Sequence, residues 1–334
     1  MKTYVGLDIS KKQTVAVWKN KEGEKVSEET FTTDREGLAR LVKKIKRSTE
    51  VALEASTSGV FVYDYLQENN VKAIVGNPIL TKLISHSDKK TDKIDAEKLA
   101  DLLRMNMLPT CYMPDKKTRE MRDVIKHRRA LVETNTVLKN KIRAILTREG
   151  LSCPYATVLG EKSLKWLNDT EIGQVQKTAI LKFVGVALMI ENEIREYNIE
   201  IYHEHQSNKE AQLLTTIPGI SYYSAVHIMS AIGDIKRFPS DEELASYAGL
   251  VPKLYQSGEV RYHKGLKHGD GQLKSILVQD ANAAIRCSKR LRKYYLKKKR
   301  KKCHQKALIA VARKMTEIIY CMLTRGETYQ ESYE

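Results

Sequence analysis

Short β-prone runs alternate with amphipathic stretches along the first third of the chain. Helical spacing of apolar residues predicts one helix over Asp34–Arg47, with Asp34 as its N-cap, and another around Val60–Glu68. Apolar and β-branched runs predict five strands, at Thr3–Ser10, Gln13–Lys19, Lys25–Thr33, Val51–Ser56 and Val71–Gly76. The segment that begins at Asp92 returns to helical spacing and predicts a further helix.

The order of these elements indicates the fold class. Three strands precede the first helix, and helices and strands alternate after it. This is the order of a ribonuclease H-like α/β sheet, whereas a doubly wound nucleotide-binding domain would alternate from its first strand. A sugar or acetate kinase uses a related fold but should carry glycine-rich phosphate loops, which the sequence lacks.

Four acidic residues stand at the ends of these elements. Asp8 lies at the end of the first strand and Glu54 at the end of the fourth, where a carboxylate is costly unless it is solvated or binds a cation. Asp92 and Asp95 are three residues apart and therefore share one face of a helix. If the four converge, they raise one another's pKa, and two Mg²⁺ ions, the usual device for displacement at phosphorus, would relieve the repulsion.

Each of these acids also has a simpler interpretation. Asp92 and Asp95 alone are ordinary acids of a first helical turn, favoured by the helix dipole. Asp8 alone could belong to a turn. The order of all four on successive elements favours the metal site over these separate explanations.

The middle of the chain is charged and prone to form helices. Apolar stripes with three- and four-residue steps run through 119–149 and again through about 172–202, separated by a break at Gly150–Pro154. Two long amphipathic helices can pair within one chain or between chains, and both alternatives stay open.

The last third contains a candidate helix-hairpin-helix over Leu213–Ile235. Pro218 and Gly219 predict a tight turn between two short helices, which can present backbone N–H groups to a phosphate without contacting bases. Many such hairpins have glycine at the position of Ser221, and an ordinary helix turn is the alternative.

Charge points to a polyanionic partner. The formal net charge is +17, of which residues 1–110 supply +3 and the remainder +14. Residues 286–302 contain eleven Lys or Arg and no acid. They lie between predicted helices at Asp270–Arg286 and Lys306–Gly326, which favours a folded basic surface over a solvated tail. The candidate nucleic-acid contacts are Arg261, Lys264, Lys267, Lys289, Arg290, Arg292, Lys293 and Lys297.

The motifs around the acids resemble those of a known family. The segments "YVGLDIS", "ALEAS" and "KTDKIDAEKLA" are similar to the DEDD motif of the Piv-like insertion-sequence transposases, the one-ten insertion-sequence family, some members of which are guided by a bridge RNA. The resemblance implies a RuvC-like ribonuclease H fold with Asp8, Glu54, Asp92 and Asp95 as a Mg²⁺-binding tetrad. The segment "EASTSGVF" departs from the Thr-Gly pair that commonly follows the family's glutamate.

The same resemblance extends to Ser257. Composition alone predicts an ordinary turn serine in the polar loop before Gly258. In the family, the serine of the Tyr-x-Ser-Gly motif is the nucleophile, and the match "YQSG" transfers that role to Ser257. A hydroxyl that attacks a DNA phosphodiester stores the bond as a phosphoserine link.

These expectations combine into one architecture and function. We predict a RuvC-like domain at 1–112, a helical coiled-coil spacer at 113–206 and a mostly helical C-terminal transposase domain at 207–334. The expected function is a DNA recombinase with donor and target DNA, a structured guide RNA and further copies of the chain as partners, in a dimer or tetramer. The alternatives are a junction-resolvase-like nuclease that uses water as nucleophile and a non-catalytic binding protein, against which the four intact acids argue.

The cellular setting follows from what the sequence lacks. No apolar run approaches the ~18 residues of a membrane helix, and the beginning of the chain lacks the pattern of a signal peptide. Five widely spaced cysteines without a CxxC pair support neither a zinc site nor a disulfide framework. A cytoplasmic protein without membrane contact is expected.

Overall fold

The computed structural model describes residues 2–46, 48–84, 91–257, 260–266 and 269–331, with the backbone alone for the described parts of 253–268. The chain forms two compact units, Met1–Met113 and Pro114–Glu334. The predicted boundary between a spacer and a C-terminal domain at 206/207 stays a prediction.

The first unit is built on a five-stranded mixed sheet. Its strands lie in the order β3-β2-β1-β4-β5, with β2 antiparallel to β1 and β3, and with β4 parallel to β1 and β5. This arrangement is that of the predicted ribonuclease H-like fold. The strands are β1 (Thr3–Ile9), β2 (Gln13–Lys19), β3 (Lys25–Thr32), β4 (Thr49–Glu54) and β5 (Ala73–Gly76), and the helices are α1 (Arg35–Lys44), α2 (Thr57–Glu68), α3 (Pro78–Ile84) and α4 (Asp92–Arg104).

Local sequence explains where these helices begin. Asp34 accepts a hydrogen bond from the Gly37 amide and caps α1, as the sequence predicts. Ser56 caps α2 by accepting from the Gly59 amide, so α2 begins at Thr57, three residues before the predicted start. Helix α3 was not predicted, because its seven residues are too few to show a clear period.

The two faces of the sheet are covered by different helices. Val5 and Leu7 of β1 belong to a core that contains Leu38 of α1 and Leu66 of α2. The alternate residues of β1 face α4, whose Leu99 and Leu103 pack with Tyr4 and Ala52. Because side chains alternate along β1, one set packs against α1 and α2 and the other set faces α4.

Helix α4 lies directly against the backbone of β1 at Gly6. A Cβ atom on Gly6 would lie 1.9 Å from the carbonyl oxygen of Ala96 and 2.6 Å from the amide nitrogen of Ala100. The backbones of strand and helix therefore approach each other more closely than any side chain permits.

The second unit is mostly helical. Its helices are α5 (Lys116–Arg148), α6 (Glu161–Asp169), α7 (Gln174–Ser207), α8 (Lys209–Leu214), α9 (Tyr222–Ile232), α10 (Asp241–Tyr247), α11 (Gly271–Cys287), α12 (Lys289–Lys299) and α13 (His304–Arg325). In the part of the chain that is described, no helix is long and apolar enough to span a membrane.

The two long helices pair with each other within one chain. Lys139 forms an ion pair with Glu191 at 2.9 Å, and Lys117 one with Glu204 at 3.0 Å, so α5 and α7 run antiparallel. Their far ends enclose a small core with α6, whereas Ile125 and Ile201 at the near end belong to the main core of the unit. Of the two arrangements that the sequence left open, the structure has the intrachain pair.

One predicted loop forms a hairpin instead. Strands β6 (Pro252–Ser257) and β7 (Val260–Leu266) pair antiparallel, with Ser257 opposite Val260. The prediction of a loop was wrong here, because the β-prone alternation in "KLYQS" and "VRYHK" on either side of Ser-Gly is typical of a hairpin.

We predict that Gly6→Ala destabilises the first unit. The added methyl collides with backbone atoms, which cannot move aside as a side chain would, so we expect a loss of ~3 kcal/mol or more in the free energy of unfolding. Urea unfolding followed by Trp18 fluorescence in a Trp166→Phe background measures the change.

Gly185→Ala is the matched control, because a Cβ on Gly185 meets no atom within 4 Å. It should leave the Trp18 transition unchanged. An unfolding midpoint for Gly6→Ala equal to that of the parent would contradict the close approach of α4.

Candidate active site

Asp8 and Glu54 lie at the same edge of the sheet. Asp8 is the penultimate residue of β1 and Glu54 is the last residue of β4. The two strands are parallel neighbours in which Leu7 pairs with Leu53. The following acids therefore stand side by side at the carboxyl ends of the two strands, as the sequence predicts.

Asp92 and Asp95 occupy the first turn of α4. Thr91 caps this helix, and its side-chain oxygen accepts a hydrogen bond from the Ile94 amide at 3.3 Å. The ammonium of Lys98, one turn further on, lies 3.2 Å from Asp95 Oδ1. The helix dipole stabilises acids in this turn, and Lys98 adds an ion pair for Asp95, so ordinary helix electrostatics also accounts for these two carboxylates.

Asp8 shows that the four acids gather in one place. Partial burial raises the pKa of Asp8 to about 6, and the negative charges of Asp92, Asp95 and Glu54 act in the same direction. Those three acids come from two different elements and are distant in sequence from Asp8. The fold therefore brings the three other acids of the predicted tetrad close enough for their charges to act on Asp8.

The four acids suit a divalent cation better in their chemistry than in their spacing. Carboxylate oxygens are the hard ligands that Mg²⁺ prefers, and a divalent ion would offset the negative charges that add to the effect of burial on the pKa of Asp8. Among the described residues, however, no three His, Cys, Asp or Glu side chains are grouped closely enough to hold one metal ion. The chemistry of the donors fits a divalent cation, while its identity and the number of ions stay predictions.

Two residues that the sequence analysis missed place α4 over this cluster. Gly6 permits the backbone contact described above. Lys19 of β2, whose side chain is 7% exposed, forms ion pairs with Glu97 at 2.9 Å and Asp101 at 2.6 Å. A glycine two residues before Asp8 and a lysine at the end of an apolar strand were the available signals, but neither implies a partner about 80 residues away.

Ser257 ends the first strand of the β6–β7 hairpin. Its backbone pairs with Val260, and its side chain is outside the described atoms, as are those of Arg261 and Lys264. Lys267 lies outside the described residues altogether. The nucleophilic role of Ser257 and the contacts assigned to these three basic residues stay predictions.

The predicted turn between α8 and α9 packs against α11. Gly219 has φ of +95°, and a Cβ on it would lie 2.5 Å from the amide nitrogen of Ala284. Ser221 caps α9 by accepting a hydrogen bond from the Ser224 amide at 3.1 Å. The departure at Ser221 therefore has a structural explanation, since its hydroxyl oxygen supplies the N-cap acceptor of α9.

A buried carboxyl group lies beside this turn. Asp280 of α11 is 4% exposed and accepts a hydrogen bond of 2.7 Å from the Ser224 hydroxyl. Its second oxygen has no hydrogen-bond partner among the described residues. Burial raises the pKa of Asp280 to about 7, against the opposite effect of the Ser224 hydrogen bond.

Two arginines fix the other end of α9. Arg122 of α5 donates to the carbonyl oxygens of Ser230 and Ala231, at 2.6 and 2.9 Å. Arg237 donates to the carbonyl oxygens of Ile232 and Ala231, at 2.8 and 3.3 Å. Cations at a helix C-terminus satisfy the last carbonyls and oppose the dipole, so α9 is held firmly between α5 and its own following turn.

Helix α12 presents a basic face to solvent. Leu291 and Tyr295, four residues apart, are buried and attach the helix to the main core. The predicted contact residues Lys289, Arg292, Lys293 and Lys297 are exposed, and Arg290 is half-buried. The basic stretch is thus part of a folded surface, as the sequence predicts.

Comparison with known proteins gives a consistent result. A DEDD transposase model of IS110 elements matches residues 5–149, and the model "Transposase IS116/IS110/IS902 family" matches residues 211–296. The transposase for insertion sequence element IS1111A of Coxiella burnetii is 26% identical over 315 residues, which are 89% of this chain and 86% of that protein.

Two further similarities cover only about a third of the chain. The pilin gene-inverting protein of Moraxella bovis is 33% identical over 129 residues, which are 37% of this chain and 40% of that protein. A structure of Thermus thermophilus RuvC in complex with a Holliday junction substrate covers 33% of this chain and 100% of its own, with 12% identity and a TM-score of 0.26. The fold assignment above rests on strand order and orientation.

We predict that the buried Asp280 makes the stability of the second unit depend on pH. Its pKa is higher in the folded protein than in the unfolded chain, so its stabilising contribution is complete below about pH 4 and is lost as the pH rises through about 7. Asp280→Asn, which stays neutral, should gain about 2–3 kcal/mol over the parent between pH 5 and pH 8.

Urea unfolding followed by helical circular dichroism at the two pH values measures this difference. The buried His227, whose pKa is lowered to about 4 by burial, contributes equally to both proteins and cancels in the comparison. A stability difference that is the same at pH 5 and pH 8 would refute the assignment.

Proposed function

The chain belongs to the IS110 family of insertion-sequence transposases, and on this basis we propose that it cuts and rejoins DNA strands through a covalent link to Ser257. The observation that carries the proposal is the gathering of Asp8, Glu54, Asp92 and Asp95 at one edge of a ribonuclease H-like sheet. Acids placed in this way suit phosphodiester chemistry.

The proposed chemistry is a pair of transesterifications. The Ser257 hydroxyl loses its proton and its oxygen forms a bond to phosphorus, while the bond from phosphorus to a deoxyribose oxygen breaks and that oxygen leaves with a proton. The free hydroxyl of another strand then attacks the phosphoserine link and releases the serine. Because one ester bond replaces another at each step, rejoining requires no ATP.

The four carboxylates are the proposed ligands of Mg²⁺. When bound, the ion would supply Lewis acidity for the displacement, and two ions are the usual device for displacement at phosphorus. The chain would hold the ion with carboxylates at the edge of the sheet. Gly6 and Lys19 keep α4, which carries two of these carboxylates, against the sheet. A serine hydroxyl is a weak nucleophile and needs such activation.

Choice of the DNA site is assigned to a structured guide RNA. Support comes from the lysines and arginines among the exposed side chains of α12, which are suited to phosphates, whereas recognition of sequence would be left to base pairing. Digestion of co-purified nucleic acid with ribonuclease, and separately with deoxyribonuclease, identifies which polyanion the protein holds.

Assembly into a dimer or tetramer is proposed to use the long helices. Helix α7 leaves several large apolar side chains exposed after pairing with α5, among them Val175, Met189 and Ile199, at 79, 70 and 57% exposure. Exposed apolar side chains in such number on one helix are typical of a surface that another chain covers.

A nuclease of the junction-resolvase type is the alternative. It would use the same four acids with water as nucleophile and leave Ser257 without a role. The charge cluster supports both mechanisms, so the fate of Ser257 separates them.

We predict that Ser257→Ala abolishes both the covalent protein–DNA adduct and the recombinant product, with a loss of about 10³-fold or more. The assay uses the DNA ends of the protein's own element with RNA transcribed from the adjoining non-coding region. The adduct is detected as DNA that stays attached to the protein on a denaturing gel.

Ser275→Ala is the matched control, since Ser275 is an exposed serine of α11 outside the proposed site. It should recombine DNA at the parental rate. Recombination by Ser257→Ala at that rate would exclude the serine mechanism, and strand nicking without joining would favour the nuclease.

A further inference from the structure

The segment after α13 is acidic and lies against the most basic part of the unit. Gly326, with φ of +72°, ends α13 and turns the chain back. Residues 327–334 contain three glutamates and no lysine or arginine. The segment that follows the turn reaches the beginning of α12, inside the stretch of eleven basic residues.

Glu331 binds at the first turn of α12. The Ser288 hydroxyl donates to Glu331 Oε1 at 2.8 Å, and the Arg290 amide donates to the same oxygen at 3.2 Å. Ser288 is only 1% exposed and also caps the helix by accepting from the Leu291 amide at 3.1 Å. These hydrogen bonds, that of Ser288 first, lower the pKa of Glu331 and keep it charged.

A second contact holds the segment on the turn between α8 and α9. The Tyr329 amide donates to the Thr216 hydroxyl at 2.9 Å, and the Tyr329 ring packs against the main core. Thr216 lies two residues before Pro218 of the candidate hairpin. The segment therefore bridges the two elements that the sequence analysis assigned to phosphate contact.

The two hydrogen-bond donors that bind Glu331, the Ser288 hydroxyl and the Arg290 amide, can also bind an anion from outside the chain. A buried hydroxyl and a backbone amide in the first turn of a helix, which has no partner within the helix, bind phosphate as they bind carboxylate. Lys289, Arg292 and Lys293 stand exposed on the same helix, so a nucleic-acid strand attracted to them would have a phosphate within reach of this position.

We propose that the acidic segment 327–331 is an internal competitor for nucleic acid, in which the Glu331 carboxylate occupies a phosphate position at the beginning of α12. The inference rests on the proposed binding of nucleic acid by the second unit and adds a named phosphate position to it. Binding of a strand displaces Glu331, and release of the strand restores the contact.

A simple helix cap is the competing explanation. A carboxylate that only caps α12 stabilises the fold and has no effect on nucleic-acid affinity. A competitor must lower the affinity, because the strand has to break the two hydrogen bonds to Glu331 before it can form its own.

The test compares two substitutions that remove the same charge. Glu331→Ala removes the contact with α12, whereas Glu327→Ala removes an exposed carboxylate four residues earlier that forms no hydrogen bond to that helix within the described part of the chain. Affinity of the full chain for a labelled 30-base-pair duplex of arbitrary sequence is measured by fluorescence anisotropy at fixed salt. We expect Glu331→Ala to bind about three- to fivefold more tightly, and Glu327→Ala less than about twofold.

The outcomes separate this inference from the proposed function. Equal affinity of the parent and Glu331→Ala, or an equal gain for both variants, overturns the competitor. If the parent binds no duplex even at low salt, nucleic-acid binding by this unit fails, and the inference fails with it.

Hydrogen exchange gives a second readout that does not depend on a substitution. Addition of the duplex to the parent protein should speed amide exchange in 326–331 and slow it in 288–293. Slower exchange in both segments would mean that the acidic segment stays in place, and the inference would be wrong.

Discussion

The contact between α4 and β1 at Gly6 is the constraint on which the candidate site depends. Asp92 and Asp95 lie on α4, and Asp8 and Glu54 lie on the sheet, so the helix must settle on the strands before the four acids can meet. A side chain at Gly6 would hold the two backbones apart. The buried Lys19, bound to Glu97 and Asp101, adds an electrostatic contact between α4 and the sheet.

Bringing these acids together on a partly buried edge costs electrostatic free energy. Burial raises the pKa of Asp8 to about 6, and the negative charges of Asp92, Asp95 and Glu54 act in the same direction. Proteins seldom keep such a cluster unless a cation neutralises it. The second unit follows the opposite principle, since its basic helix α12 is partly neutralised by the chain's own Glu331. In the proposal, the acids of the first unit are thus neutralised by a bound cation, whereas the basic helix of the second unit has a counter-charge in the same chain.

Periodicity allowed the sheet and most helices to be predicted, because strands and helices repeat at about two and 3.6 residues. The acids could be placed because Asp8 and Glu54 lie at the ends of predicted strands and Asp92 and Asp95 at the beginning of a predicted helix. The roles of Gly6 and Lys19 could not be predicted, because they depend on contacts between distant parts of the chain that no local pattern marks. The packing of the α8–α9 turn on α11 could not be predicted for the same reason. The polar residues around Ser257 indicated a loop, although the alternation on either side of Ser-Gly is typical of the β6–β7 hairpin. The contact of Glu331 with α12 joins segments about 40 residues apart.

Binding of a divalent cation tests the central claim most directly. Titration of the full chain with Mn²⁺, followed by the loss of the free-ion signal in electron paramagnetic resonance, measures how many ions bind and how tightly. The account predicts saturable binding to the parent protein and affinity at least about tenfold weaker for Asp8→Asn. Equal Mn²⁺ affinity for the parent and Asp8→Asn would show that the four acids do not form a cation site.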